Sequence, residues 1–242
     1  MVKLLDLFIS CCAYLNRHWN RNRLDLISRY RGSGNQAPWA LVTGASDGLG
    51  AHYCRQLARD GFNICLVSRT MGKLKAVEAQ IKKDSPQVKT KIVQVDFDGN
   101  ANIKFYRDIK TKVKDLEIKL LVLNAACHFE FEVLKLSKPN HLKSMLEVNL
   151  YQYMSMLHQF LPIMAKKKER CGVILVSSAA ALSPQPMNLT YSAIKAAISS
   201  IAAALYEELK EEKYRVDLMC YMPGVIQTNF GDGLINHLPN KE

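Results

Sequence analysis

Short apolar runs alternate with helix-length stretches along most of this chain. Apolar runs that are nearly continuous, rather than alternating with polar residues, are typical of strands buried on both faces of a sheet. Six runs have this character, at 39–43, 63–67, 91–95, 119–123, 173–176 and 216–220. Helical stretches separate them at 50–59, 72–83, 102–114, 141–164 and 191–211. The alternation predicts an α/β fold with a doubly wound parallel sheet, Rossmann-like, and right-handed crossovers.

Length and composition fit a single domain built from this pattern. The chain has 242 residues, of which 48% are hydrophobic and 23% are charged, as in ordinary globular proteins. A length of about 240 residues suits one large α/β domain, and no internal repeat marks a second one. We therefore assign residues 38–242 to one folded domain and residues 1–37 to an N-terminal extension.

Charge and cysteine content exclude several classes of function. The net charge is +11, but acidic residues lie between the basic runs, and no zinc finger or arginine-rich arm accompanies them. We therefore predict no nucleic-acid partner, although the positive field favours an anionic cofactor, a CoA ester or an acidic membrane surface. The seven cysteines form no C-x-x-C pair. This pattern predicts no metal site and a reducing or cytosol-facing compartment.

The N-terminal extension combines an apolar stretch with arginines. Its apolar residues, within 4–15, are interrupted by Asp6 and fall short of the roughly 20 needed to span a bilayer. Trp19 and several arginines follow, which favours an interfacial helix in peripheral contact with a membrane. A helix that packs against the domain or a partner explains the segment equally well. The Gly-Ser-Gly-Asn sequence at 32–35 predicts a hinge before the domain.

A glycine-rich turn follows the first predicted strand, where residues 43–50 read Thr-Gly-Ala-Ser-Asp-Gly-Leu-Gly. Glycines between a buried strand and a helix allow a tight turn. The helix N-terminus then offers free N–H groups and a positive dipole to a pyrophosphate. The turn therefore predicts dinucleotide binding by Gly44, Ser46, Gly48, Leu49 and Gly50.

The ends of the next two strands predict which dinucleotide binds. Where an acidic residue would bind the ribose 2′-hydroxyl of NAD, this chain has Ser68 and Arg69. A hydroxyl and a guanidinium suit a 2′-phosphate, so the sequence favours NADP(H). Asp96 follows the third strand, where it is placed to accept a hydrogen bond from the adenine amino group. A turn or helix cap shared with Asp98 is an equally good interpretation.

Carbonyl chemistry is indicated by three residues that come later in the chain than the fourth predicted strand. Tyr191 and Lys195 lie one helical turn apart on one face, and an ammonium beside a phenol is expected to lower the tyrosine pKa from about 10. Tyr191 is then expected to serve as a general acid for reduction of a carbonyl, or as a base for the reverse oxidation. Ser178 follows the fifth strand, where its hydroxyl is expected to hold the substrate oxygen.

Because no acid or cysteine lies at triad spacing, we predict structural or exposed positions for His128, His141 and His158.

Over residues 39–228 the chain resembles the short-chain dehydrogenase/reductase family. The family's glycine motif is matched by Gly44, Gly48 and Gly50. Its Asn-Asn-Ala-Gly motif is matched, with two departures, by Leu123-Asn124-Ala125-Ala126. The small side chain at 126 is expected to be tolerated beside the cofactor.

The resemblance also implies the roles of the remaining site residues. Asn149 matches the family's catalytic asparagine, thought to position a water in a proton relay to the lysine, and Ser178, Tyr191 and Lys195 complete the catalytic set. The implied cofactor contacts beyond the glycine turn and the second and third strand ends are Asn124, Ala125, Tyr191, Lys195, Pro223, Gly224 and Thr228. The last three match the loop that cradles the nicotinamide.

Within the family, Ser68-Arg69 and the Tyr-Ser-Ala-x-Lys string at 191–195 resemble one branch. It contains very-long-chain 3-oxoacyl-CoA reductases and 17β-hydroxysteroid dehydrogenases. The resemblance implies NADPH-dependent reduction of a ketone on a lipid-like substrate to the alcohol. It implies a location at the cytosolic face of the endoplasmic reticulum membrane, or otherwise in the cytoplasm. It also implies a homodimer formed through the helices at 141–164 and 191–211.

The C-terminal part departs from the family pattern. Family members continue past the Pro-Gly loop with substrate-binding helices and a seventh strand, whereas only a short segment follows Thr228 here. We therefore expect the edge strand and most of the substrate lid to be missing, which leaves the sixth strand as an unpaired edge. The alternative function is that of a catalytically impaired, truncated nucleotide-binding family member that acts through a partner.

Overall fold

The computed structural model describes residues 25–31, 36–128, 132–224 and 226. The strands within these ranges are β1 (Trp39–Thr43), β2 (Asn63–Ser68), β3 (Thr90–Gln94), β4 (Ile118–Leu123), β5 (Cys171–Val176) and β6 (Val216–Tyr221). The α-helices are α1 (Leu26–Arg29), α2 (Gly48–Arg59), α3 (Met71–Asp84), α4 (Ile103–Lys112), α5 (Pro139–Leu146), α6 (Gln152–Ala165) and α7 (Leu189–Glu211). Shorter elements are 3₁₀ turns at Leu134–Leu136 and Ala179–Ala181 and a π-helical turn at Glu147–Tyr151.

The strands form one parallel sheet in the order β3-β2-β1-β4-β5-β6. Neighbouring strands end nearly level, since Thr43 pairs with Val67 and Leu123 pairs with Leu175. The strand order reverses between β1 and β4, and ligands of such sheets bind beside the carboxyl ends of the strands at that point. The predicted Rossmann-like sheet is confirmed. The expectation of a missing seventh strand concerns a segment beyond the described residues and stays a prediction.

Both faces of the sheet are covered, which explains the nearly continuous apolar runs. Successive residues of a strand point to opposite faces. Leu41 and Leu121 pack with residues of α4, α6 and α7, whereas Ala40 and Val42 pack with residues of α2 and α3. All four side chains are fully buried. Although α7 is long and apolar enough by length and composition to cross a membrane, one of its faces lies in this core.

The largest difference from the predicted elements lies at residues 139–165. The periodicity predicts one helix at 141–164, whereas the structure has α5 and α6 joined by the π-helical turn. This turn buries Glu147, Val148 and Asn149. An inserted residue of this kind changes which side chains face the core, and such turns are frequent at functional sites. The other predicted helices and strands differ from the observed ones by no more than two residues at either end.

Residues 25–31 pack against the domain at the edge of the sheet where β5 and β6 begin. Arg29 Nε and the Tyr30 hydroxyl both donate to Asp217 Oδ2, at 2.8 and 3.0 Å, and Arg170 Nη1 donates to Asp217 Oδ1 at 2.7 Å. Burial acts to raise the pKa of Asp217, but these donors hold it below its usual value. The Tyr30 ring lies against Gly172 at the start of β5. Residues 1–24 of the predicted N-terminal extension, with its predicted membrane contact, and the predicted hinge at 32–35 lie outside the described residues.

Two glycines near helix starts are expected to respond in opposite ways to replacement by alanine. A Cβ on Gly50 would lie 2.1 Å from the Gly44 carbonyl oxygen, whereas a Cβ on Gly72 meets no atom within 4 Å. We expect Gly50→Ala to lower the free energy of unfolding by about 3 kcal/mol, because backbone atoms must move. Gly72→Ala, in the first turn of α3, is expected to raise it by about 0.5–1 kcal/mol. Urea denaturation measures both, and equal effects would contradict the tight packing at Gly50.

Candidate active site

A cleft of about 820 Å³ runs along the carboxyl ends of the strands, within the size range of small-molecule and cofactor sites. It is lined by predicted site residues from every part of the chain: Gly44, Ser46, Gly48, Leu49, Ser68, Arg69, Asp96, Asn124, Ala125, Ser178, Tyr191, Lys195, Pro223 and Gly224. Gly50 and Asn149 are not part of the lining, and Thr228 lies outside the described residues. The sequence therefore identified residues that the fold brings together.

The glycine turn between β1 and α2 forms one wall of the cleft. Gly44 and Gly48 have φ angles of +67° and +50°, in the left-handed region that favours glycine. Gly50 lies behind the turn, where its lack of a side chain lets the start of α2 approach the Gly44 carbonyl. Gly48 and Leu49 bring the N-terminus of α2 to the cleft. The Gly48 N–H donates to Asp47 Oδ1 at 2.7 Å, and the positive end of the helix with its other first-turn N–H groups fits the pyrophosphate of a dinucleotide.

The far end of this wall is rich in hydroxyl groups and cations. Ser46 Oγ lies 2.9 Å from Ser68 Oγ, and the exposed Arg69 follows Ser68 at the end of β2. Lys73 Nζ donates to Asp47 Oδ2 at 2.8 Å, so the carboxylate of Asp47 is paired with a cation. This donor set fits a phosphate group at the end of β2.

Asp96 lies beyond β3 and accepts a hydrogen bond at Oδ1 from the backbone N–H of Asp98, at 3.1 Å. This bond is of the turn-capping kind. Asp96 is also exposed and lines the cleft, so its contact with an adenine amino group stays a prediction.

The loop after β4 is held at two places. The Thr43 hydroxyl accepts from the backbone N–H groups of Asn124 and Ala125, at 3.0 and 3.1 Å. The second place is Cys127, where Asn149 Oδ1 accepts from the backbone N–H at 2.7 Å and Asn149 Nδ2 donates to the carbonyl at 2.8 Å. The oxygen and the nitrogen of the fully buried Asn149 side chain thus both position this loop. A part of Asn149 in a proton relay stays a prediction.

Ser178, Tyr191 and Lys195 meet on the opposite wall. Ser178 caps a 3₁₀ turn by accepting from the Ala180 N–H at 3.2 Å, and its hydroxyl is close enough to Tyr191 to act on the pKa of the phenol. Lys195 Nζ donates to the Val176 carbonyl at 2.9 Å and lies 5.5 Å from the centroid of the Tyr191 ring. A hydroxyl donor, a phenol and a buried amine therefore converge at one point of the cleft, as the four-residue spacing predicts.

The predicted effect of Lys195 on the tyrosine is wrong for this structure. Burial raises the pKa of Tyr191 to about 12, while the hydrogen bond from Ser178 acts in the opposite direction. Burial also lowers the pKa of Lys195 to about 8. Desolvation disfavours the charged form of each group, and it outweighs the attraction that the spacing suggests. At neutral pH Tyr191 accordingly keeps its proton.

The sequence analysis did not place His128 in the cleft. His128 is predicted to be structural or exposed, but it lines the cleft, with its ring centroid 5.2 Å from that of Tyr191. Its Nε2 lies 3.0 Å from Asn188 Oδ1. Asn188 and Gln185 line the same part of the cleft. The available signal was the position of His128 four residues after Asn124, in a loop at the carboxyl edge of the sheet.

Residues 38–237 match a family model described as short chain dehydrogenase. Among curated proteins, a very-long-chain 3-oxoacyl-CoA reductase from Coccidioides immitis (strain RS) is 37% identical over 188 residues, which are 77% of this chain and 53% of that protein. The human 17-beta-hydroxysteroid dehydrogenase type 3 is 34% identical over 189 residues, 75% of this chain and 57% of that protein. The chain therefore spans little more than half the length of these relatives.

Solved structures share the fold. A short-chain dehydrogenase from Sphingobium yanoikuyae in complex with NADPH has a TM-score of 0.73 and 22% identity, covering 84% of this chain and 78% of that one. A short-chain dehydrogenase/reductase from Burkholderia phymatum in complex with NAD has a TM-score of 0.75 and 21% identity, covering 84% and 71%. Both likenesses bear on the fold alone.

Replacing Lys195 by methionine is expected to change how stability depends on pH. In the folded state its pKa is lowered from 10.5 to about 8, so between these values the unfolded chain binds more protons. The stability contributed at Lys195 therefore rises with pH through this window. We expect the free energy of unfolding of the wild type, relative to Lys195→Met, to rise by about 2 kcal/mol from pH 7 to pH 10.

Urea denaturation at each pH measures this difference. Lys210→Met removes an exposed lysine of the same helix and is the matched control. A difference between wild type and Lys195→Met that stays flat from pH 7 to pH 10 would show that Lys195 is not desolvated as its burial indicates.

Proposed function

The chain belongs to the short-chain dehydrogenase family, and we propose that it is an NADPH-dependent oxidoreductase that reduces a ketone on a lipid-like substrate to the alcohol. The observation that carries this proposal is the convergence of Ser178, Tyr191 and Lys195 on the cleft that the glycine turn also lines. Family membership supports an oxidoreductase acting on C=O or CH–OH groups. The cofactor preference, the substrate class and the roles of individual residues are the proposed part.

In this proposal the bound nicotinamide cofactor supplies a hydride, and the chain supplies position, hydrogen bonds and a proton. Ser178 donates a hydrogen bond to the substrate oxygen and orients the carbonyl. Tyr191 donates its proton to that oxygen as general acid. The phenol is protonated at neutral pH, as an acid must be, but burial raises its pKa to about 12, so efficient proton transfer requires a nearby positive charge that lowers this pKa. Lys195 approaches the phenol ring from within the core and is placed to bind the cofactor ribose.

Selection of NADPH is supported by the cations at the end of β2. Arg69 and Lys73 both line the cleft, with the hydroxyl groups of Ser46 and Ser68 beside them. The carboxylate of Asp47 already accepts from Lys73 and from the Gly48 N–H. A 2′-phosphate would find a guanidinium and hydroxyl donors here, whereas the ribose of NADH would lack the carboxylate acceptor that usually binds it.

A 3-oxoacyl-CoA and a keto-steroid are the two substrate classes that the relatives suggest.

We propose the cytosolic face of the endoplasmic reticulum membrane as the location. This proposal rests on the resemblance to the branch of 3-oxoacyl-CoA reductases and hydroxysteroid dehydrogenases and on the apolar and basic character of residues 1–24. A homodimer through α5, α6 and α7 is supported by exposed apolar side chains on these helices, namely Leu146, Met154, Ile163, Leu189 and Tyr206. The alternative of a catalytically impaired member that acts through a partner gains no support from the comparisons.

Replacing Tyr191 by phenylalanine tests the proposed acid. Loss of the proton donor is expected to lower kcat for ketone reduction about 1000-fold, while NADPH binding stays largely intact because the ring is kept. The measurement is NADPH consumption with 3-oxoacyl-CoA and keto-steroid substrates, together with NADPH titration of both proteins. Tyr206→Phe, an exposed tyrosine of the same helix, is the matched control. Full activity in Tyr191→Phe would overturn the assignment.

Replacing Arg69 by alanine tests the proposed cofactor preference. Loss of a charge-assisted contact to a 2′-phosphate is expected to weaken NADPH binding by about 10- to 100-fold and to leave NADH binding unchanged. Energy transfer from tryptophan to the nicotinamide, with Trp39 as a donor, follows both titrations. Arg59→Ala is the control, since Arg59 pairs with Asp84 at the far end of α2. Equal affinity of the wild type for NADPH and NADH would refute the preference.

A further inference from the structure

We propose that His128 is a positioning residue that holds the ring of Tyr191 through the first turn of α7. The proposal rests on the proposed function, in which Tyr191 is the general acid. His128 reaches Tyr191 in two ways: by a ring contact, and by a hydrogen bond to Asn188, the residue that precedes α7. His128 and Asn188 both lie outside the proposed catalytic set of Ser178, Tyr191, Lys195 and Asn149.

The backbone next to His128 is fixed. Both polar backbone groups of Cys127 are hydrogen-bonded to the side chain of Asn149, at 2.7 and 2.8 Å. Asn149 is itself fully buried in the π-helical turn. The backbone of His128 is therefore held in place through Cys127. A contact made by the imidazole can then hold a neighbouring element in place as well.

The hydrogen bond to Asn188 has a defined direction. Asn188 Nδ2 donates to Gln185 Oε1 at 3.3 Å, which turns its amide oxygen toward the imidazole. An amide oxygen only accepts, so the tautomer that forms this bond is the one that carries a proton on Nε2 of His128 and donates to Asn188 Oδ1 over 3.0 Å. Asn188 is almost completely buried, whereas His128 is half-buried at the cleft, so this bond is partly buried.

The start of α7 gives up a favourable local contact in forming this bond. Asparagine at an N-cap usually accepts a hydrogen bond from the first turn of its own helix, but the Asn188 side chain makes no such bond. The preceding residue, Met187, has a φ angle of +63°, a left-handed conformation that is costly for a bulky side chain. Strain of this kind is concentrated at functional sites. The strained backbone at Met187 and the missing cap bond of Asn188 are both explained if this conformation places the Asn188 side chain against His128.

The ring contact carries the position on to Tyr191. Tyr191 lies three residues after Asn188, in the first turn of the same helix. The two rings meet edge to face, at an interplanar angle of 77° and a centroid distance of 5.2 Å, which is a favourable aromatic arrangement. His128 thereby limits rotation of the phenol and keeps its hydroxyl beside Ser178. Small displacements of a reacting group lower reaction rates strongly.

Kinetics of four variants test this role: His128→Ala, His128→Gln, Asn188→Ala and the double variant His128→Ala/Asn188→Ala. We expect His128→Ala to lower kcat about 10-fold or more with KM and NADPH affinity little changed, since a displaced acid affects the chemical step. Glutamine carries an amide N–H at the place of Nε2, so His128→Gln is expected to recover most of kcat. The double variant is expected to be no slower than the slower single variant, because the two residues act as one unit. His158→Ala, an exposed histidine on α6, is the matched control.

A readout without turnover separates this proposal from the proposed function. The ¹³Cζ resonance of Tyr191, assigned in tyrosine-labelled protein by its absence from Tyr191→Phe, is expected to shift or broaden in His128→Ala and to return in His128→Gln. If the wild type reduces no ketone, the proposed function fails and this resonance alone decides the role of His128. An unchanged resonance, an unchanged kcat, additive losses in the double variant, or a parallel loss of NADPH binding in His128→Ala would each overturn the positioning role.

Discussion

The Thr43 side chain joins the two central strands where the strand order reverses. Its fully buried hydroxyl accepts from two backbone N–H groups at the end of β4, those of Asn124 and Ala125. The Thr43 carbonyl accepts from Asn124 Nδ2 at 3.1 Å. Without these bonds, buried polar groups would be left unpaired at a cost of about 1–3 kcal/mol each. The glycine turn and the loop that carries His128 both depend on this connection, since the turn directly follows Thr43 and the loop follows Asn124.

The π-helical turn extends this connection to the rest of the cleft. Asn149 holds the loop after β4 through Cys127, and Glu147 of the same turn accepts from the backbone N–H of Gly99 at 2.6 Å. Gly99 belongs to the loop after β3 that begins at Asp96. One buried turn thus holds a loop on each side of the strand reversal. A regular helix would turn these two polar side chains to other directions, so the inserted residue has a clear structural use.

Much of the fold follows from local sequence, and the reasons are physical. Apolar runs buried on both faces of a parallel sheet end at one edge, so the positions of Gly44, Asn124 and Ser178 could be predicted together. The spacing of Tyr191 and Lys195 on one helix likewise follows from helical geometry. The contacts that were missed join distant parts of the chain. His128 meets Asn188 60 residues later, and Tyr30 meets Asp217 187 residues later. The π-helical turn was missed because one inserted residue shifts the apolar pattern by a single position within the long, mainly apolar stretch of residues 141–164.

Burial explains why the expected pKa of the tyrosine differs from that in the structure. A buried phenol with a raised pKa holds its proton at neutral pH, and lowering that pKa toward the working range requires a nearby positive charge. Lys195, with a pKa lowered to about 8, is close to losing its charge. Anionic groups brought into the cleft, toward which Arg69, Lys73 and the net charge of +11 attract them, favour the charged lysine. We therefore expect the charge on Lys195 to be largest when an anionic dinucleotide is bound, and the attraction between ammonium and phenol that the sequence suggests to act in that state.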